Sequence, residues 1–246
     1  MLSASENDRI FAEAVVRRTT YSNVSRLLHH VHYILGDVHG VERGLDIGGG
    51  QGILSFYLAT HGAKSVVCVE PEGEGSTEGV TGIFDQLRQD LPNGNRVHLA
   101  QTTFQEYDPG DLTFDYIVTG NAINHLNEPA CIDLKTNRNS YDTYIGYFQR
   151  IYDMLDSGGR FVATDCSRYS LYPQLGLKNP FMPAIEWEKH QSPYQWRDML
   201  MEVGFVDPDI KWTAFNALGA FGRLIMNNPV VSYVTVSHFR LCVRKP

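Results

Sequence analysis

The chain has 246 residues, 43% of them hydrophobic and 20% charged, with a formal net charge of -7. It is long enough to bury a full core, and no run of Lys or Arg exceeds two residues, which disfavours a nucleic-acid groove because such a groove needs a basic stripe. Four scattered cysteines with no Cys-x-x-Cys pair, no basic-then-apolar leader and no apolar run of spanning length point to a reduced, cytoplasmic protein without membrane insertion.

Residues 5–35 read as two helices, from the spacing of Ile10, Phe11, Ala14 and Val15 and then of Val24, Leu27, Leu28, Val31 and Leu35. Ser22 and Asn23 offer a cap to the second, and Gly36 and Gly40 break the chain after it. Residues 1–40 are therefore expected to form a helical cap that packs on the rest, covers a ligand or serves as a homodimer face. Strands are then expected at 44–47, 65–69, 97–100, 114–119, 160–165, near 210–212 and at 237–243. Helices are expected at 51–61, 79–91, 140–156 and 193–203. Strands separated by helices imply an α/β protein with a mostly parallel sheet covered on both faces. Two stretches break this rhythm. Residues 167–191 carry Tyr169, Tyr172, Phe181 and Trp187 among prolines, and residues 213–235 carry Phe215, Leu218, Phe221, Leu224, Ile225 and Met226. Both read as insertions in a single 1–246 domain, forming a lid or acceptor region.

Residues 44–52 read Gly-Leu-Asp-Ile-Gly-Gly-Gly-Gln-Gly, a buried strand ending in a tight ligand-binding turn, and a helical pattern follows at once. Eighteen residues after Gly52, at the end of the next strand, stands Glu70, placed for ribose hydroxyls. A dinucleotide fold wants Gly-x-Gly-x-x-Gly, but Ile53 occupies the place of the third glycine. Asp46 also puts a carboxylate where a diphosphate would approach, so a cationic ligand suits the turn better.

The run resembles motif I of the class I S-adenosylmethionine-dependent methyltransferases. Three later segments are similar to that family in the same order. They are Phe114-Asp115-Tyr116-Ile117-Val118 with Asn124-His125-Leu126, Met154 through Val162 with its Ser-Gly-Gly turn, and Trp196 through Phe205. The resemblance implies a three-layer αβα sandwich around a seven-stranded sheet of order 3-2-1-4-5-7-6, the last strand antiparallel. It implies S-adenosylmethionine as cofactor and S-adenosylhomocysteine as product. Carried over by position, Asp46, Gly48, Gly50, Gln51 and Gly52 would hold the methionine part and Glu70 both ribose hydroxyls. The family's acid after strand 3 is missing here, so Thr103 and Phe104 are the adenine candidates, with Gln105 as an alternative. Asn121 and Ala122 would lie under the sulfonium.

Methyl transfer to a hydroxyl or a protonated amine needs a base. His125, following strand 4, is the leading candidate. His190 stands before the helix at 193–203, and Asp165 ends strand 5 at the carboxyl edge where α/β ligands bind. His29, His30 and His32 invite a metal reading, but no carboxylate or cysteine completes a set at usual spacing, and neither do Asp108, Asp111 and Asp133, so no metal is expected. The expected activity is methylation of a hydroxyl or amine on a small molecule. A protein or peptide acceptor and a non-catalytic cofactor-binding subunit are the alternatives.

Overall fold

Two features of the chain set its architecture: short apolar runs that form buried strands, and amphipathic helices between them. The computed structural model describes residues 5–36, 38, 40–73, 78–213 and 227–246. Seven strands form one sheet in the order β3-β2-β1-β4-β5-β7-β6. They are β1 (Arg43–Ile47), β2 (Ser65–Val69), β3 (Val97–Ala100), β4 (Phe114–Gly120), β5 (Leu155–Cys166), β6 (Val206–Thr213) and β7 (His238–Arg244). This is the sheet order that the resemblance implied, with β7 antiparallel to both its neighbours. The chain divides into two compact units, Met1–Gly120 with Met154–Gly159 and Asn121–Asp153 with Arg160–Pro246.

The first unit holds α1 (Glu6–Arg18), α2 (Val24–Leu35), α3 (Ile53–Thr60) and α4 (Val80–Asp90). Strand β1 pairs in parallel with β2 and β4, and β2 with β3. Asp115 fixes the start of β1 beside β4 by accepting the Glu42 and Arg43 backbone N–H groups at 2.7 and 3.0 Å. Ser5 and Asp8 cap α1 reciprocally, and Asn23 caps α2 by accepting from Arg26 N–H. The N-terminal helices are joined to α3 through one carboxylate. Asp8 Oδ1 accepts from Tyr57 Oη at 3.0 Å and lies 3.2 Å from both His32 Nε2 and His61 Nε2. His32 thus faces an acidic partner, while His30 packs its ring near Tyr21.

The second unit holds α5 (Glu128–Asp133), α6 (Arg138–Met154), α7 (Leu171–Gln174), α8 (Pro193–Val203) and α9 (Pro229–Val234). Tyr144 and Phe148 of α6 pack on Trp196 of α8 at ring distances of 4.9 and 5.7 Å. All three are fully buried, and they make the centre of this unit's core. Strand β6 shifts register between Val206 and Asp209, where Asp207 takes φ 54° just before Pro208.

Several boundaries differ from the sequence reading. Strand β5 starts at Leu155, at the end of α6, and runs through the Ser-Gly-Gly segment expected as a turn. The helix expected at 140–156 ends correspondingly earlier, at Met154. Helices α5, α7 and α9, each of four to six residues, are too short to show a period. In the first insertion the exposed Tyr169 and Phe181 do not form a core. The segment is pinned by buried Asn179, whose Nδ2 donates to Ser170 Oγ and the Thr235 carbonyl while its Oδ1 accepts from Phe181 and Met182 N–H. Phe215, Leu218, Phe221, Leu224, Ile225 and Met226 of the second insertion lie outside the described residues.

Candidate active site

In the first unit the glycine turn follows β1. Gly48 N–H donates to the Val69 carbonyl at 2.8 Å, which carries the turn across to the end of β2. Gly52 opens α3 in a left-handed conformation (φ 76°), and a Cβ there would meet the Phe84 ring at 2.7 Å. At Gly49 the constraint is close approach, since a Cβ would lie 2.5 Å from Cys68 Sγ and 2.7 Å from Asp46 Oδ2. Gly50 differs: nothing stands within 4 Å of the Cβ position, and its N–H donates to Glu70 Oε2 at 2.9 Å.

Asp46 lies beneath this turn, fully buried. Its Oδ2 accepts from Ser55 Oγ at 2.8 Å, and its Oδ1 has no partner. Burial pushes the carboxyl up to about 6; the Ser55 hydrogen bonds oppose that rise, and the charge of Glu70 adds to it. Glu70 is 4% exposed at the end of β2, and its own N–H donates to the Ala100 carbonyl. After β3, Thr103 Oγ1 donates to Glu106 Oε2 at 3.0 Å and accepts from Glu106 N–H, and Phe104 is buried. Gln105 is exposed. Gln101 donates to Thr81 Oγ1 at 2.9 Å, and Thr81 donates to Glu72.

In the second unit, Asn121 follows β4 with φ 57°; its N–H donates to the Thr164 carbonyl and its Oδ1 accepts from His238 Nε2 at 2.6 Å. Ala122 beside it is half-buried. His125 is exposed, and its Nδ1 lies 2.6 Å from Glu128 Oε1. Glu128 also meets Lys189 Nζ at 3.1 Å. His190 is placed otherwise. It is 8% exposed, and its Nδ1 lies 2.8 Å from Oδ1 of Asp165, which is 2% exposed. Asp165 Oδ1 also accepts from Cys166 N–H at 2.7 Å, and its Oδ2 has no partner among the described residues. Burial raises the Asp165 carboxyl above the ordinary carboxylate range, against the pull of His190. With Nδ1–H directed at Asp165, Nε2 of His190 carries the lone pair, which is the arrangement a general base needs.

A family model for the methyltransferase domain matches residues 17–207, well over half of the chain. This protein belongs to the class I S-adenosylmethionine-dependent methyltransferases. By sequence, no curated protein matches it. Among solved structures it is similar to a methyltransferase of Thermotoga maritima described as a possible histamine N-methyltransferase. The two are 16% identical with a TM-score of 0.57, over 98% of this chain and 100% of that one. The N-methyltransferase NodS of Bradyrhizobium japonicum, solved with S-adenosylhomocysteine, is 15% identical with a TM-score of 0.55, over 98% and 96%. Phosphoethanolamine N-methyltransferase 2 of Haemonchus contortus, solved with phosphomonomethylethanolamine and S-adenosylhomocysteine, is 16% identical with a TM-score of 0.59, over 98% of this chain and 58% of that one.

S-adenosylmethionine is the cofactor of this methyltransferase, and its own residues suit that group. Among the described residues Asp46 keeps a buried, unpartnered carboxylate oxygen under the glycine turn, Gly50 leaves its Cβ space open, and Glu70 turns its carboxylate to that turn through Gly50 N–H. Of the expected cofactor residues, Asp46, Gly48, Gly50, Gln51, Gly52, Glu70, Thr103 and Phe104 fall in the first unit. Asn121 and Ala122 open the second. Of the expected catalytic residues, His190 and Asp165 are brought together, while His125 pairs with Glu128. Sequence reasoning missed Ser55, which holds Asp46, and Cys68, which floors Gly49. Helical spacing shows that Ser55 follows the turn but not that its hydroxyl points back to β1. Among the described residues no three His, Cys, Asp or Glu side chains are placed to hold a metal ion, and no helix is long and apolar enough to cross a membrane.

Proposed function

We propose that the methyltransferase moves a methyl group to a hydroxyl or amine of a small molecule, with His190 and Asp165 handling the acceptor's proton. The observation that carries this reading is the buried 2.8 Å contact of His190 Nδ1 with Asp165 Oδ1 at the carboxyl end of β5. Asp165 orients the imidazole and stabilises its charged form, and His190 Nε2 takes the proton. When bound, the cofactor supplies an electrophilic methyl carried on sulfur. Asp46 would balance its ammonium, the turn Gly48, Gly50, Gln51 and Gly52 would hold its methionine part, and Glu70 would accept from the ribose hydroxyls. Thr103 and Phe104 would border the adenine, and Asn121 and Ala122 are the residues we assign to the sulfonium. His125 stands as the second candidate base, with Glu128 orienting it in place of Asp165.

A small acceptor is supported by two of the similar structures, one described as a possible histamine N-methyltransferase and one solved with phosphomonomethylethanolamine. The net charge of -7 disfavours a nucleic-acid acceptor, and we place the enzyme in the cytoplasm. The test is an acceptor screen read by release of S-adenosylhomocysteine, run with the native enzyme and with His190→Gln. The reading expects turnover of small molecules and a loss on the order of 10²–10⁴-fold in the variant, with cofactor binding retained. Methylation of proteins or peptides alone would refute the small acceptor, and equal turnover would remove His190 as the base.

A further inference from the structure

Buried polar groups without partners are rare in folded proteins, and each points to a ligand or an ordered water. The second unit gathers several of them around the His190–Asp165 pair. Among the described residues, neither Oδ1 nor Nδ2 of fully buried Asn124 has a partner. Asp165 Oδ2 has none among them either, nor does Oε1 of Gln191, which is also fully buried.

These groups are neighbours through a continuous set of contacts. Tyr144 Oη lies 3.1 Å from the Asn124 carbonyl and 3.2 Å from the Asn127 carbonyl, which also accepts from Cys131 N–H at 2.9 Å. Gln191 Nε2 donates to the Cys131 carbonyl at 2.5 Å, and Gln191 follows His190, which contacts Asp165. Asn121 N–H binds the Thr164 carbonyl, so the turn carrying Asn124 starts beside the residue that precedes Asp165.

Three of the four orphaned atoms are oxygens, and one belongs to a carboxylate. A neutral hydroxyl offers one proton to such a set, whereas a protonated amine offers two or three and a compensating charge. From this we infer that Asp165, Asn124 and Gln191 form a subsite for a protonated amine, so that the acceptor is an alkylammonium and the enzyme methylates nitrogen. The inference rests on the proposed roles of His190 and Asp165 and narrows them. The subsite binds the cationic form, which cannot be methylated because its nitrogen has no lone pair. One proton then passes from the ammonium to His190 Nε2, leaving a neutral amine whose freed lone pair is the nucleophile and an imidazolium held by Asp165.

The probe is methylammonium chloride, the smallest ligand with the required group, added to the full-length protein saturated with S-adenosylhomocysteine. Sodium chloride and methanol at equal concentration are the controls, and thermal unfolding is the readout. The expected result is a rise in Tm with methylammonium that neither control gives, and its loss in both Asp165→Asn and Asn124→Leu. Leucine keeps the branched outline and heavy-atom count of asparagine and removes the orphaned amide, and the unfolding transition and cofactor binding of the ligand-free variant report that it is folded. A rise no larger than with sodium, or an undiminished rise in Asn124→Leu, would overturn the subsite. Binding of S-adenosylhomocysteine, measured on the same samples, separates the two failures. Intact cofactor binding with no methylammonium response removes the amine subsite alone, whereas lost cofactor binding removes the broader reading with it.

Discussion

Replacing Asp46 with Asn is expected to change how stability responds to pH. Asp46 is fully buried, and burial raises its carboxyl from 3.8 to about 6. Because the folded value lies above the unfolded one, this group contributes stability that is fully present below about 3.8 and is lost as pH rises through about 6. A shift of roughly 2 units corresponds to about 3 kcal/mol when complete, and about 2 kcal/mol of it falls between pH 4 and pH 7. The amide does not titrate, so the variant lacks that slope, whatever constant offset follows from rearranging the Ser55 hydrogen bond. Urea unfolding of both proteins at several pH values measures the gap. The native protein should lose about 2 kcal/mol relative to Asp46→Asn across the window, on the order of 4–8 °C in Tm for a chain of this size. Saturating S-adenosylhomocysteine should narrow the gap, because a bound ammonium stabilises the carboxylate. Parallel curves without ligand would show that the carboxyl is already solvated or paired, and the electrostatic reasoning would fail.

Other outcomes follow from the same geometry. Glu70→Ala removes the acceptor of Gly50 N–H and should weaken cofactor binding by about 1–3 kcal/mol in calorimetry; unchanged affinity would end its assignment. Gly49→Ala drives a Cβ into Cys68 and Asp46 and should destabilise the fold by about 1–3 kcal/mol in denaturant, with no change expected had the turn room to relax. His125→Ala removes an exposed ion pair and should alter stability by less than about 0.5 kcal/mol. A larger loss of turnover in that variant than in His190→Gln would transfer the role of base to His125.

Most of the parallel half of the sheet is legible in the chain because its strands are bounded by glycine turns and followed by periodic helices. β2 and β3 begin and end where expected, at 65–69 and 97–100. The Asp46–Glu70 arrangement is legible for the same reason, since both residues sit at strand ends at fixed distance from the glycines. What escapes the sequence is contact over distance. His190 and Asp165 stand 25 residues apart across an irregular insertion, and no local pattern announces that one imidazole turns toward the other. The insertion hides its anchors as well, because its aromatic residues draw the eye while buried polar groups such as Asn179 and His190 tie it down. Asn127 caps α5 and Pro129 stands in its first turn, but a six-residue helix offers no period by which the sequence could show it.

The most direct test of the central claim is calorimetric binding of S-adenosylmethionine and S-adenosylhomocysteine to the purified protein, with NAD as control and Glu70→Ala beside it. Saturable binding of both sulfur ligands, weakened in the variant and absent for NAD, is the expected result. Binding of NAD, or of neither sulfur ligand, would contradict the account.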